Sequence, residues 1–245
     1  MENEKSAEKR GLDAIKRRVW LEKSFGVGGV YRAKKKAELS TPANVDVRAV
    51  RQAALDEIAQ EVAKCRRCTL YEEATNPVFG VGNPCAELMF IGEGPGADED
   101  LKGEPFVGRA GQLLTKIIQA MGMQRGDVYI ANVVKHRPPG NRTPTNYEIV
   151  QCHGYLVRQL EIIKPKIICA LGLPASQTLL KSEKSIGALR GRFYPYPDNP
   201  EIKVIPTYHT AYLLRNPADK GKTWDDMKKI LAELGRPAPK SKGKS

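Results

Sequence analysis

No stretch of this chain is apolar for long enough to cross a bilayer; its longest hydrophobic runs are strand-sized. Nor does an apolar core follow the charged opening from Met1 to Lys9, which argues against a secretory leader and makes the cytoplasm the expected location. Cysteine is scarce and odd in number, five in 245 residues, so a disulfide framework is not indicated. Two of the five, Cys65 and Cys68, form a C-x-x-C pair outside any redox strand-helix context, for which metal or cluster ligation is the better reading. Acidic residues are outnumbered, with 28 Asp and Glu against 40 Lys and Arg. The net charge of +12 sets up a field that attracts polyanions, and nucleic acid is the natural partner. A dinucleotide fingerprint is missing too. The turn Gly92-Glu93-Gly94-Pro95-Gly96 has a proline and a spacing that do not fit one, so nicotinamide cofactors are disfavoured.

What is present suffices for one large domain with an extension, since 41% of the residues are hydrophobic. Residues 1–45 carry eleven Lys or Arg against six Asp or Glu and read as a basic, flexible extension. A helix is predicted from Val45 to Ala63, with Val50, Ala54, Ile58 and Val62 at helical spacing, and it delivers the chain to Cys65. Strand-like runs at 87–91, 128–134, 166–171 and 203–207 then alternate with helical patterns at 109–122, 145–163, 174–181 and 223–234. Such alternation indicates an α/β fold whose parallel sheet has helices on both faces. The domain is set at 46–235, and 236–245 read as a basic flexible tail.

Two strand ends look like opposite walls of one pocket. Leu88-Met89-Phe90-Ile91 runs into the glycine turn bearing Glu93, and Val204-Ile205 runs into Pro206-Thr207-Tyr208-His209. Open α/β sheets bind ligands where such ends meet, so a carboxylate and an imidazole are expected to face each other. Phe106, between glycines and prolines just before a helix, is placed to stack on a planar base, although loop aromatics more often anchor a core. Asn132 is an amide among apolar strand residues; it offers one donor and one acceptor, enough to read a pyrimidine edge or to cap a neighbouring loop.

Together these segments closely resemble the family 4 uracil-DNA glycosylases, the iron-sulfur branch of their superfamily. The resemblance spans about Cys65 to Leu234 and rests on six ordered motifs: Cys65 to Cys68, Gly92 to Gly96, Pro105 to Gly108, Asn132 to Lys135, Arg137 to Arg142, and Pro206 to Pro217. It implies a three-layer α/β/α sandwich around a mostly parallel four-stranded sheet. It also implies a DNA glycosylase that flips uracil out of double- or single-stranded DNA and hydrolyses its glycosidic bond, as a monomer without membrane contact, initiating base excision repair. On this pattern Phe106 stacks on uracil, Asn132 reads its polar edge, and His209 hydrogen-bonds the O2 on which charge develops. Glu93 and Glu99 are the pocket carboxylates. Either could orient water or stabilise the cationic sugar, with Glu99 favoured for the floor that blocks a thymine methyl. Gly94 stands where better-known relatives carry a catalytic Asp, so leaving-group stabilisation must carry more of the catalysis.

The same resemblance makes Leu213 and Leu214 the candidate wedge into the gap left by the base. It makes Asn141, Arg142 and Arg215, and with them Lys135 and Arg190, candidate substrate-backbone or phosphate contacts. The family binds a 4Fe-4S cluster through four cysteines, which fall here at Cys65, Cys68, position 136 and Cys152. Position 136 is histidine, so a three-Cys one-His ligand set is expected. His153 is a rival ligand, while Cys85 and Cys169 read as incidental or buried thiols. The histidine at 136 is similar to a branch that traps DNA covalently. That branch needs a second histidine in an insertion after this point, and Arg137 to Thr145 contains none, so turnover is expected. The competing readings are a non-catalytic or covalently trapping uracil-DNA binder on the same fold, and a phosphosugar or dinucleotide enzyme using the glycine turn.

Overall fold

The computed structural model describes residues 46–239; the expected extension at 1–45, and the expected tail from residue 240 on, lie outside the described residues. The chain runs α1 (Val47–Ala63), α2 (Leu70–Glu73), β1 (Val81–Gly82), β2 (Leu88–Gly92), α3 (Ala97–Lys102), α4 (Arg109–Ala120), β3 (Tyr129–Asn132), α5 (Asn146–Ile163) and β4 (Ile167–Leu171). It continues through α6 (Leu173–Leu180), α7 (Ile186–Leu189), β5 (Tyr194–Tyr196), β6 (Asn199–Thr207), α8 (Thr210–Arg215) and α9 (Lys220–Glu233). Single 3-10 turns lie at Arg125–Asp127, Pro139–Asn141 and Pro217–Asp219.

The strands form one sheet in the order β1-β3-β2-β4-β6-β5. Its middle is the expected parallel set of four, in which Phe90 aligns with Ile130 on one side and with Cys169 on the other, and Cys169 aligns with Ile205. Every residue of β2, β3 and β4 is buried, as continuous apolar strands covered on both faces require. Alternate residues divide the core. Phe90, Ile130, Cys169 and Ile205 pack against Leu114 and Ile118 of α4 and Met227 and Ile230 of α9. Met89, Ile91, Ala131 and Ile168 share the opposite core with Leu55, Ile58 and Val62 of α1 and Leu156 and Leu160 of α5. The layers are therefore helix, sheet, helix.

The sheet is wider than the four strands expected, because short antiparallel strands close both edges. β1 has only two residues and ends at Gly82, while β5 carries Pro195 at its centre, which an edge strand tolerates. The inward stripe of α1 is also corrected. Val50 is exposed, and Leu55 takes its place beside Ile58 and Val62. Asp46 caps this helix by accepting from the amides of Arg48 and Ala49. Arg51 in turn ties α1 to the end of α5, donating to the Ile163 carbonyl at 3.0 Å.

Because β2 has β3 on one side and β4 on the other, successive crossovers leave it in opposite directions. Parallel α/β sheets bind ligands beyond the strand ends at such a point. Gly92, Asn132 and Thr207 are the last residues of β2, β3 and β6.

Candidate active site

Loops leaving those strand ends enclose a cavity of about 480 Å³ lined by Glu93, Gly94, Glu99, Phe106, Asn132, Asn141, Arg142, His209 and Arg215, with Pro138 and Tyr212. It brings together residues up to about 120 positions apart in the chain.

His209 is the N-cap of α8, and its Nδ1 accepts from the Ala211 amide at 3.1 Å. In the neutral ring the proton is thereby placed on Nε2, which is left as a donor. Burial, helped by the Arg215 charge and opposed by Glu99, pulls this imidazole down to about 4, so the neutral ring prevails at ordinary pH. The Phe106 ring lies 5.7 Å from it, centroid to centroid, tilted by 38°.

Asn132 is buried, and its Oδ1 has no hydrogen-bond partner among the described residues. A side chain at Gly92 would put Cβ 2.5 Å from that oxygen and 2.6 Å from Phe106 Cζ, so glycine is required for the amide and the ring to come this close. Glu93 likewise presents a buried Oε1 without a partner. Burial pushes its carboxyl up against the pull of the Thr143 hydroxyl.

Glu99 lines the cavity, but its oxygens are taken by backbone. Oε1 accepts from the amides of Val107 and Gly108, each at 2.9 Å, and Oε2 accepts from Gly96 at 3.2 Å. Of the two carboxylates, Glu93 is the one with a buried oxygen left without any partner among the described residues.

At the rim, Asn141 sits in a left-handed conformation (φ 57) and its Oδ1 accepts from Arg137 Nε at 2.7 Å, leaving the amide donors. Arg142 pairs side-on with Glu148 at 2.8 and 2.6 Å, which holds that carboxyl down to about 2. The two leucines of α8 separate: Leu213 is fully buried, Leu214 is exposed. The helix can turn only one of two adjacent residues to the core, so Leu213 is not available as a wedge.

Two further expectations are corrected. Lys135 is fully buried and donates to the Asn132 carbonyl (2.8 Å) and to Gln159 Oε1 (2.6 Å), out of reach of any phosphate. Burial draws its ammonium down to about 8. Arg190 is bound to the buried Asp226 at 2.8 and 2.9 Å and stacks over Tyr208 at 5.1 Å. Asp226 also accepts from Thr207 Oγ1 at 2.7 Å, so this group braces the strand end that carries His209.

Cys65 lies just beyond α1, Cys68 three residues on, and Cys152 within α5. Cys65 and Cys68 pack against the core that contains Cys152, and Cys65 and His136 line one cavity of about 450 Å³. The Cys152 sulfur accepts the Lys135 amide at 3.2 Å, and burial pushes this thiol up to about 11. Among the described residues, no three ligating side chains converge on one ion position. His153 is turned away toward Asp198, 3.8 Å distant.

Sequence reasoning did not foresee Arg125, Thr207 or Asp226. They act through backbone and neighbouring side chains rather than through the cavity; Thr207 lies within the Pro206 to Pro217 motif, where His209 drew the attention, and no short motif marks Arg125 or Asp226.

Fold and cavity define the class. Residues 79–235 match the family described as the Uracil DNA glycosylase superfamily. The chain is 46% identical over 190 residues to a Type-4 uracil-DNA glycosylase of Archaeoglobus fulgidus, covering 76% of this chain and 96% of the relative. It is 47% identical over 167 residues to a Type-4 uracil-DNA glycosylase of Thermotoga maritima, covering 68% and 86%. A Type-5 uracil-DNA glycosylase of Pyrobaculum aerophilum is more distant, 31% identical over 169 residues, covering 62% and 73%. The chain belongs to the uracil-DNA glycosylase superfamily, in its type-4 branch.

Proposed function

We propose that this protein is a uracil-DNA glycosylase that extrudes uracil from DNA and hydrolyses the bond joining it to deoxyribose, leaving an abasic site for repair. The observation that carries the reading is the meeting, in one cavity, of a neutral histidine with a free Nε2 donor, an aromatic ring and an unpartnered buried amide oxygen.

A flipped uracil stacks on Phe106. Its N3–H donates to Asn132 Oδ1, and the Asn132 amide group donates to O4. As the glycosidic bond lengthens, charge gathers on O2, and the His209 Nε2–H donates to it. A neutral donor there stabilises the departing anion without protonating it. Glu93, with Oε1 unpartnered, orients the attacking water and faces the cationic sugar. Glu99 shapes the pocket through the loops it holds. Leu214 fills the gap in the stack, and Arg142, Arg215 and Asn141 bind the strand. The net charge of +12 supports DNA as the partner, engaged by a monomer in the cytoplasm.

Cys65, Cys68, Cys152 and His136 are the residues that would hold a 4Fe-4S cluster. Its ligands bind different irons, so they surround a volume rather than a point, and Cys65 and His136 share such a volume. The amide donated to Cys152 suits a thiolate on iron. When bound, the cluster supplies a structural tie between the loop after α1 and α5. Substituting His136→Cys should keep iron and activity and His136→Ala should lose iron, as measured by metal analysis and visible absorption.

The decisive assay is release of free uracil from a uracil-containing oligonucleotide with DNA in excess. Many turnovers per enzyme are expected, and a single turnover or a covalent adduct would instead mark a trapping protein. His209→Ala should slow single-turnover release by ~100- to 1000-fold.

A further inference from the structure

Phe106 adopts a left-handed backbone (φ 55), a costly conformation for an aromatic residue that persists only where its surroundings impose it. Two side chains of opposite charge impose it here. Arg125, from the 3-10 turn before β3, donates through Nη2 to the Pro105 carbonyl at 2.8 Å and through Nη1 to the Phe106 carbonyl at 3.1 Å. Glu99 accepts the next two amides, those of Val107 and Gly108. Four successive backbone groups around Phe106 are thus gripped from outside the loop.

Arg125 is itself anchored, with Nη1 3.3 Å from Thr115 Oγ1 on α4 and Nη2 3.5 Å from Glu104. Gly111 completes the seat, because a Cβ there would lie 1.9 Å from the Phe106 carbonyl.

We propose that Arg125 is a positioning residue for uracil stacking: its planar fork fixes the Pro105 and Phe106 carbonyls and so holds the Phe106 ring in the cavity. Lysine, a point donor, could not span both carbonyls and the Thr115 hydroxyl at once. The inference rests on the stacking role given to Phe106 above and assigns Arg125 no contact with the base.

Two measurements test it. Single-turnover uracil release is followed over a range of enzyme concentrations for the wild type, Arg125→Met, Phe106→Leu and the double variant. Arg125→Met should lower the ratio of maximal rate to half-saturating concentration about ten-fold, but less than about two-fold when Phe106 is already leucine. An equal loss in both backgrounds, or no loss in either, overturns the proposal.

Hydrogen exchange at the amides of Phe106 to Gly108, read by mass spectrometry, should quicken about ten-fold in Arg125→Met, and unchanged exchange also overturns it. This second arm needs no catalysis. A wild type that releases no uracil therefore counts against the proposed function, while Arg125 is still decided by exchange. Should Arg125→Met fail to fold, Arg125→Lys takes its place in both arms with smaller shifts of the same pattern.

Discussion

At the scale of single residues, the site is a set of groups whose bonding is deliberately incomplete. Among the described residues, Asn132 Oδ1 and Glu93 Oε1 are buried without partners, a state normally costly enough to be avoided. A Gly92→Ala substitution should abolish uracil release, because the new methyl collides with both the amide and the ring. Parallel activity and thermal-melting measurements would show activity lost well before the fold. The pH dependence follows from His209. With the folded imidazole at about 4 and the ordinary value at 6.5, release should be insensitive to the ionisation of His209 above about pH 5.5 and should fall toward pH 4 as the ring takes a proton. The unfolded chain binds that proton more readily between these values, so the His209 contribution to stability declines as pH falls through that window. Denaturant midpoints of wild type and His209→Gln across pH 4 to 7 should show the variant losing less. Motif reading could find Asn132, Phe106 and His209 because their chemistry is local in sequence. It could not find that Glu99 is consumed by three backbone amides, since only Gly96 is its neighbour on the helix and Val107 and Gly108 lie in a loop that the folded chain brings back to it.

At the scale of elements, the four central strands were legible because strands buried on both faces are written as unbroken apolar runs. The edge strands were not. Two residues ending in Gly82, and three centred on Pro195, leave no period to detect. Helix α8 shows the limit most clearly, because sequence places Leu213 and Leu214 side by side and only packing tells them apart. Leu213→Ala should lower stability by about 2 to 5 kcal/mol, as a cavity in the core does. Leu214→Ala should leave the melting temperature nearly unchanged and slow release from double-stranded DNA more than from single strands, where no stack has to be filled. The opposite pattern would exchange the roles of the two leucines.

At the scale of the whole molecule, charge and shape act separately. The excess of basic residues includes a net positive share in residues 1–45, outside the described domain. Deleting them should weaken DNA binding and flatten its dependence on salt, with the rate on saturated substrate retained; titrations at several ionic strengths would read this. Among the described residues no helix is long and apolar enough to cross a membrane. Lys135 joins Cys152 of α5 to the pocket strand, with its amide donating to the Cys152 sulfur and its ammonium to the Asn132 carbonyl.

Helix α8 spans only six residues, about 9 Å, with His209 as its first cap and Leu214 near its last turn. Under the proposed function, the probe that enters the duplex and the donor that greets the expelled base are thus opposite ends of one short rigid rod. In a duplex, therefore, where the probe comes to rest also sets where the donor meets the base, and a shift of one end is felt at the other.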